Sequence, residues 1–376
     1  MTGGVRPDIA AARRIVVKIG SSSITDAAGH PDARHMNALV DAIAAARASG
    51  TEVVVVSSGA VAAGLEPLGL LARPRDLASQ QAAASVGQGL LLARYTALFA
   101  AHGLRVGQVL LTVEDIARKA SYGNVERTFT RLLELGVVPV VNENDTVATN
   151  ELRFGDNDKM AALVAHVVGA DALFLLSDVD ALYTDHPARP GARRLDDVPE
   201  VDDLAVDTSR GGAHVGTGGM TTKLEAAKIA THAGVPVVLA SADAVAPALA
   251  GEPVGTYFHA SGRRRSRRLL WLAYASRTAG EVVLDAGAVR AVVERKASLL
   301  PAGVTAFSGD FHAGDPIRMV DAAGELIGHG LSSYDAADLP GVLGRSTRDL
   351  VAERGAGFDR ELVHRDALIL RKRFRG

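Results

Sequence analysis

The chain has 376 residues, a formal net charge of −2 and no cysteine. The near-neutral charge gives no global electrostatic case for binding nucleic acid or a membrane surface, and the lack of thiols excludes disulfides, zinc-thiolate sites and cysteine nucleophiles. No apolar run approaches the roughly 20 residues that a membrane-spanning helix needs, and residues 1–12 lack the apolar core of a signal peptide. We therefore expect a cytoplasmic, globular protein of two or three domains.

Strand-like and helix-like segments alternate through the first two-thirds of the chain. Short β-branched or leucine-rich runs predict strands at 15–19, 53–56, 137–141, 173–176 and 235–239. Alanine- and leucine-rich stretches with helical spacing predict helices at 36–48, 80–100 and 159–168. Continuously apolar strands are typical of a parallel sheet that is buried on both faces. The order predicts an α/β fold, a three-layer αβα sandwich with a mainly parallel sheet and right-handed crossovers.

The composition changes near residue 256. An arginine-rich run at 263–268 is followed, after residue 280, by short glycine-punctuated segments that are typical of a compact β-rich module. We predict a first domain at 10–260, a linker at 261–278 and a small β-rich domain at 279–373. The arginine-rich run is interpreted as a solvated linker, and a nucleic-acid contact is the less favoured alternative because the net charge is close to neutral.

Small polar residues follow several predicted strands at their carboxyl ends, where ligands bind in open α/β sheets. They lie at Lys18–Gly20, Ser57–Ser58, Asn142–Asp145, Asp156–Asp158 and Ser177–Asp178. Taken singly, Lys18 could snorkel from an edge strand, and the aspartates and asparagines could be loop and helix-cap residues. Their joint placement at strand ends favours a ligand site.

A glycine-rich segment at 216–223 reads Gly-Thr-Gly-Gly-Met-Thr-Thr-Lys and opens into a helix-like run. Small residues expose backbone N–H groups, the helix dipole favours negative charge, and Lys223 adds a full positive charge, which together suit a nucleotide phosphate. The segment matches neither a Walker A loop nor the glycine fingerprint of dinucleotide-binding folds. A simple glycine-rich turn before a helix is the alternative.

A set of segments, taken in order, resembles the motifs of the amino acid kinase family, and in particular of its members that phosphorylate glutamate. The most specific are Asn142-Glu-Asn-Asp145 and Gly155-Asp-Asn157-Asp158. The others lie at 16–22, 56–64, 176–178, 182–184 and 216–223. Segments 294–303 and 363–366 resemble the PUA domain that many of these enzymes carry. The resemblance covers nearly the whole chain.

This resemblance implies an activity. ATP would phosphorylate the γ-carboxylate of L-glutamate to γ-glutamyl phosphate, the first step of proline biosynthesis, with Mg²⁺ as cofactor and proline as inhibitor. It further implies a homo-oligomer that hands γ-glutamyl phosphate to a reductase. Neither RNA nor a membrane is expected as a partner.

The resemblance also implies roles for individual residues. Lys18 and Lys223 would neutralise charge on the transferring phosphoryl group, and Asp158 would hold the two lysines in place. The glutamate-binding positions would be Ser58, Asp145 and Asn157. The ATP-binding positions would be Lys18, Ser177, Asp178, Thr217, Gly218, Gly219, Met220, Thr221, Thr222 and Lys223. No residue is assigned to a metal, and the histidines are scattered without the spacing of a metal site.

The chemistry of a carboxylate acceptor agrees with these roles. A carboxylate is already ionised at neutral pH and needs no general base, so positioning and cationic stabilisation of the transferring group carry the catalysis. Two alternatives stay open. The chain could phosphorylate another acidic substrate, such as aspartate, acetylglutamate or a nucleoside monophosphate, or it could bind RNA through the PUA-like module. The paired motifs at 142–145 and 156–158 favour glutamate, and the lysines with their aspartate favour an enzyme.

Overall fold

A computed structural model describes residues 5–24, 32–117, 119–147, 156–204, 219–261, 278–355 and 360–371. The chain divides into two compact units, Met1–Arg265 and Ser266–Gly376. Most of the predicted linker, with its arginine-rich run, lies outside the described residues, and the predicted boundaries at 10–260, 261–278 and 279–373 stay predictions.

An eight-stranded sheet forms the centre of the first unit, in the order β3-β4-β2-β1-β5-β9-β10-β8. Its neighbouring strands pair in parallel except β9 and β10, which are antiparallel. The mainly parallel sheet predicted from the apolar strands is therefore confirmed. A separate two-stranded ribbon pairs β6 with β7. The strands are β1 (Arg14–Ile19), β2 (Glu52–Ser57), β3 (Arg105–Leu111), β4 (Val137–Glu143), β5 (Ala172–Ser177), β6 (Leu182–Tyr183), β7 (Arg194–Leu195), β8 (Asp197–Val198), β9 (Val237–Ser241) and β10 (Thr256–Phe258).

Helices cover both faces of this sheet. The helices are α1 (Pro7–Ala10), α2 (Ala33–Ala48), α3 (Ala60–Leu65), α4 (Leu77–Ala101), α5 (Val113–Ala117), α6 (Lys119–Glu134), α7 (Asp156–Val167), α8 (Met220–His232) and α9 (Val245–Leu249). Alternate residues of β1, Ile15, Val17 and Ile19, share one apolar core with α2, α4 and α9. Successive side chains of a strand point to opposite faces, so Val16 and Lys18 belong to the face on which α7 and α8 pack.

Several predicted element boundaries are corrected by the structure. The helices predicted at 36–48 and 159–168 begin at Ala33 and Asp156. The strand predicted at 137–141 continues to Glu143, so Asn142 belongs to β4 and not to the following loop. The strand predicted at 235–239 begins only at Val237, since Pro236 lacks the N–H that a ladder position would use. Helix α4 begins at Leu77, where the Asp76 side chain caps it by accepting a hydrogen bond from the Ser79 N–H at 2.8 Å.

The second unit holds a five-stranded sheet in the order β12-β11-β13-β14-β15. Only β11 and β13 pair in parallel. Its core includes Val282, Ile317, Met319, Tyr334 and Leu339. The predicted β-rich character of this part is confirmed. The elements are β11 (Gly280–Leu284), α10 (Ala286–Val293), β12 (Val304–Gly309), β13 (Pro316–Val320), β14 (Leu326–Leu331), α11 (Thr347–Arg354) and β15 (Leu368–Leu370).

Within the described part of the chain, none of the helices combines the length and the apolar character that crossing a membrane would require.

Candidate active site

Two lysines and one aspartate form a buried ionic group at the carboxyl end of β1. The Lys18 Nζ lies 2.6 Å from Asp158 Oδ1, and the Lys223 Nζ lies 3.4 Å from Asp158 Oδ2. The three residues are 5%, 1% and 6% exposed in the order Lys18, Asp158, Lys223. We call these three residues the charge trio.

The fold brings the charge trio together from three elements. Lys18 extends from β1 toward the face covered by α7 and α8, whereas Asp158 and Lys223 lie in the first turns of those two helices. The Thr222 hydroxyl lies 2.8 Å from Asp158 Oδ2 and 2.8 Å from the Gly219 carbonyl oxygen, which ties the start of α8 to the start of α7. Two helix N-termini therefore converge on one strand end, which is an arrangement that favours a bound anion.

Burial and the charges of neighbouring side chains shift the pKa values of Lys18 and Asp158. Burial lowers the pKa of Lys18, and repulsion from Lys223 lowers it further, while Asp158 acts in the opposite direction. Burial by itself raises the pKa of Asp158, but the attraction of Lys18 and Lys223 outweighs it and holds that pKa below its ordinary value. With all three groups ionised, the trio itself carries a net positive charge. A buried net charge is costly, so an anionic ligand would stabilise the group.

Beside the charge trio, four polar side chains form a hydrogen-bonded chain. The Asn157 Nδ2 donates to Ser58 Oγ at 3.0 Å and to Asn142 Oδ1 at 3.2 Å. The Asn142 Nδ2 donates to Gln88 Oε1 at 2.7 Å. We call Ser58, Asn157, Asn142 and Gln88 the amide relay. It runs from the tip of β2 through α7 and β4 to α4.

The two groups are neighbours because the strand tips are bonded to one another. The Ser58 N–H donates to the Ile19 carbonyl at 3.3 Å, and the Gly20 N–H donates to the Leu176 carbonyl at 3.1 Å. These bonds tie together the ends of β1, β2 and β5. Asn157 of the relay directly precedes Asp158 of the trio. A ligand can therefore contact both groups at once.

The remaining residues expected at the site are placed as follows. The buried Ser177 ends β5 and donates its hydroxyl to Asp178 Oδ1 at 2.8 Å, while Asp178 is exposed. Asp145 is partly buried in the turn after β4. Gly219 and Thr221 are exposed and Met220 is partly buried around the start of α8. Thr217 and Gly218 lie outside the described residues.

Helix α4 contributes two site residues that the sequence did not indicate, Gln88 and Tyr95. The fully buried Tyr95 hydroxyl lies 3.0 Å from Ser57 Oγ, whose own proton is donated to the Ser58 carbonyl at 3.1 Å. Burial raises the pKa of Tyr95 to about 12, although the bond to Ser57 opposes the rise, so the phenol is protonated at neutral pH. Gln88 and Tyr95 are seven residues apart, a helical spacing that places both on one face of α4.

Close packing fixes α4 against the tip of β2. A Cβ atom added at Gly87 would overlap the Ala60 carbonyl oxygen, and one added at Gly64 would overlap the Ala83 carbonyl oxygen. Helices α3 and α4 thus touch backbone to backbone, because neither position has a side chain in the way. Gly59, which joins Ser58 to α3, has a φ of 102°, in the left-handed region that favours glycine. This packing holds Gln88 and Ser58 at a set separation.

Comparison with known proteins assigns the fold to a family. The model of the amino acid kinase family matches residues 13–241, and the model of the PUA domain matches residues 280–353. The chain belongs to the amino acid kinase family. The family recognised from the sequence motifs, with its C-terminal PUA domain, is thereby confirmed.

Relatives within the amino acid kinase family carry the name glutamate 5-kinase. The protein of Streptomyces coelicolor is 60% identical over 98% of this chain and 99% of its own length. That of Thermobifida fusca is 58% identical over 98% and 96%, and that of Bifidobacterium longum is 52% identical over 97% and 98%. These full-length similarities confirm that the chain is a kinase of this family.

Proposed function

We propose that the chain transfers the γ-phosphoryl group of ATP to the γ-carboxylate of L-glutamate, giving γ-glutamyl phosphate and ADP. The observation that carries the proposal is the buried charge trio beside the amide relay, since it pairs an anion-binding group with a group suited to an amino acid. The full-length relatives named glutamate 5-kinase support glutamate as the acceptor.

The charge trio would perform the transfer. Donor and acceptor are both anionic, so their approach needs positive charge between them, and the transition state spreads negative charge over the phosphoryl oxygens. Lys18 and Lys223 supply that charge from two sides, and Asp158 holds both ammonium groups in position. The acceptor carboxylate carries no proton at neutral pH, so no side chain has to remove one.

The amide relay would bind the amino-acid end of the substrate. Ser58 Oγ accepts a hydrogen bond from Asn157, which leaves the serine proton to donate to a substrate carboxylate. Asn157 Oδ1 is buried and has no hydrogen-bond partner among the described residues, so it can accept from the substrate ammonium group. Asp145 would add the negative charge that an ammonium group prefers.

The nucleotide would lie at the start of α8, with Ser177 and Asp178 at the neighbouring tip of β5. The exposed backbone at Gly219 and the helix dipole suit its phosphates. Mg²⁺ is usually bound through nucleotide phosphates, one or two carboxylates and water, and Asp178 is the carboxylate at this strand tip that could join them. When bound, the ion would shield phosphate charge.

Proline is proposed to inhibit by competing with glutamate. It shares the α-carboxylate and the amino group of glutamate but lacks the γ-carboxylate, so the amide relay and Asp145 would hold both ligands. Competition would raise the apparent KM for glutamate with kcat kept. The cytoplasmic location, the homo-oligomer and the transfer of product to a reductase stay predictions.

The activity is tested by assaying the purified chain with ATP, Mg²⁺ and each candidate acceptor. ADP release reports phosphoryl transfer, and hydroxylamine traps only an acyl phosphate as a hydroxamate. We expect ADP and hydroxamate together with glutamate, and neither at a comparable rate with aspartate, acetylglutamate or a nucleoside monophosphate. A higher kcat/KM for one of those acceptors would replace glutamate as the substrate. Filter binding of RNA at several salt concentrations tests the alternative, because true binding would weaken steeply with salt.

A further inference from the structure

We propose that Gln88 is a positioning residue that accepts from Asn142, stabilises the amide directions that the Glu143 N–H sets in the relay, and thereby keeps an acceptor oxygen facing the amino group of the substrate. Gln88 does not contact the substrate itself. The inference deepens the proposed function and rests on it for the identity of the ligand.

One backbone group fixes the first amide. The Glu143 N–H can only donate, and it lies 2.9 Å from Asn142 Oδ1, so the oxygen of Asn142 must face it. The Asn142 side chain is 2% exposed, and its Nδ2 is therefore directed at Gln88, 2.7 Å away. Because that nitrogen donates, Gln88 has to present its oxygen.

The same reasoning fixes the second amide. Asn142 Oδ1 also accepts from Asn157, 3.2 Å away, so the nitrogen of Asn157 faces Asn142 and Ser58. Its oxygen is left buried, with no partner in the described part of the chain. An amide turned the other way would present two N–H groups to an ammonium group, which also only donates. The direction of Asn157 thus decides whether an amino acid can bind.

Gln88 is the last acceptor of the relay, at its α4 end. Without an acceptor at position 88, the buried Asn142 Nδ2 would lose its hydrogen bond, which is unfavourable for a buried polar group. Rotation of Asn142 to find another partner would release Asn157 as well. Gly87, packed against the Ala60 backbone, holds the neighbouring Gln88 at the required place. The effect of losing the acceptor should therefore appear in the binding of glutamate and not in that of ATP.

The test compares Gln88→Met, Gln88→Glu and a matched control, Gln80→Met, in the full chain. Gln80 lies on the same helix and donates to the Pro74 carbonyl at 2.6 Å, outside the relay. We expect Gln88→Met to raise the KM for glutamate about tenfold while the KM for ATP stays within about twofold, as for loss of a buried hydrogen bond. Gln88→Glu keeps an acceptor oxygen, so its KM for glutamate should stay within about threefold of the wild-type value. Gln80→Met should leave both constants unchanged.

Comparing the KM for glutamate in the two Gln88 variants separates a positioning role from a packing role. Methionine has nearly the volume of glutamine, so if only packing mattered, Gln88→Met would have a lower KM than Gln88→Glu, which buries a carboxylate. A lower KM in Gln88→Met than in Gln88→Glu would overturn the proposal. A wild-type chain without glutamate-dependent ADP release would contradict the proposed function instead.

A second measurement tests the relay whatever the substrate is. In protein labelled with ¹⁵N at asparagine, the side-chain amide signals of Asn142 and Asn157 should shift in Gln88→Met and not in Gln80→Met. Unchanged signals in Gln88→Met would overturn the proposal even with an active wild type.

Discussion

The charge trio and the amide relay lie side by side at the strand ends, but the trio depends on interactions between buried charges and the relay on hydrogen bonds between neutral groups. The trio holds full charges almost entirely out of water, where each charge depends on the others. The relay consists mainly of neutral amides, and which ligand groups it can bind depends on the direction of each donor and acceptor. The first group can stabilise a transition state, whereas the second can select a ground-state ligand.

This difference predicts separate kinetic signatures for the two groups. A change in the trio should lower kcat, because in the proposed function its charges act most strongly on the transferring phosphoryl group. A change in the relay should raise the KM for glutamate, because it alters binding of the amino-acid end. Single substitutions in each group test this division.

Asp158→Asn is expected to have the largest effect. It removes the anion that holds both lysines, so kcat should fall about 10³-fold. It also leaves two buried ammonium groups without their partner, and the free energy of unfolding should fall by about 3 kcal/mol. Steady-state kinetics and urea denaturation measure the two losses. The exposed Asp41→Asn serves as control and should change neither.

The pH dependence of the same variant gives a further check. Because the folded pKa of Asp158 lies below its ordinary value, its contribution is fully present above the unfolded carboxyl pKa of about 4. That contribution is lost as the pH falls through the lower folded pKa. The difference in unfolding free energy between wild type and Asp158→Asn should therefore shrink below about pH 4. A constant difference would mean that Asp158 is not charged in the folded chain.

Lys223→Met is expected to lower kcat about 10²-fold, since it would remove one of the two cationic contacts proposed for the transferring group. The KM for glutamate should change little, because the relay stays intact. Lys228→Met, on the same helix and outside the trio, is the matched control. If the KM for glutamate rose by as much as kcat fell, the division between the two groups would not hold.

Thr222→Val should lower kcat about tenfold, because it removes one hydrogen bond to Asp158 and leaves both lysines in place. Thr222→Ser keeps the hydroxyl group and should restore most of the activity. Equal losses in the two variants would assign the effect to packing.

Tyr95→Phe is expected to have the smallest effect on turnover. It removes the hydroxyl group that contacts Ser57, so the free energy of unfolding should fall by about 1 kcal/mol. The KM for glutamate should rise only about twofold, since the amide relay does not include this bond. Denaturation and kinetics on the same preparation give both numbers. Tyr183→Phe, outside the trio and the relay, controls for loss of a phenol group. A rise in KM as large as that in Gln88→Met would place Tyr95 within the relay.

The charge trio could be anticipated from the sequence because its members stand near the end of a predicted strand or at the start of a predicted helix. Lys18 interrupts an apolar strand, and Asp158 and Lys223 stand at the starts of helix-like runs. Parallel strands and their crossover helices bring such boundaries to one edge of the sheet. Their assignment as catalytic residues follows from the family resemblance and stays a prediction.

The relay could not be anticipated in the same way. Gln88 stands in the middle of a long helix, where an isolated glutamine has the pattern of a solvated position. Asn142 was expected in a loop, but β4 continues through it and buries its side chain. Strand β3 was missed because it is an edge strand with exposed Arg105 and Gln108, which break the apolar run. Side-chain partners between distant segments depend on tertiary packing, which local patterns do not encode.

The repulsion between the two buried lysines has a consequence for the stability of the chain. Replacing Lys223 with methionine removes that repulsion and leaves the Lys18–Asp158 ion pair, so the slower variant should melt at a higher temperature than the wild type when no nucleotide is added. Saturating ATP should reverse that ranking, since the wild type would bind the polyanion more tightly than the variant and would be stabilised more by mass action. The second lysine would thus lower the stability of the nucleotide-free wild type while raising its affinity for a polyanion. The half-life of the folded chain would then depend on the nucleotide concentration.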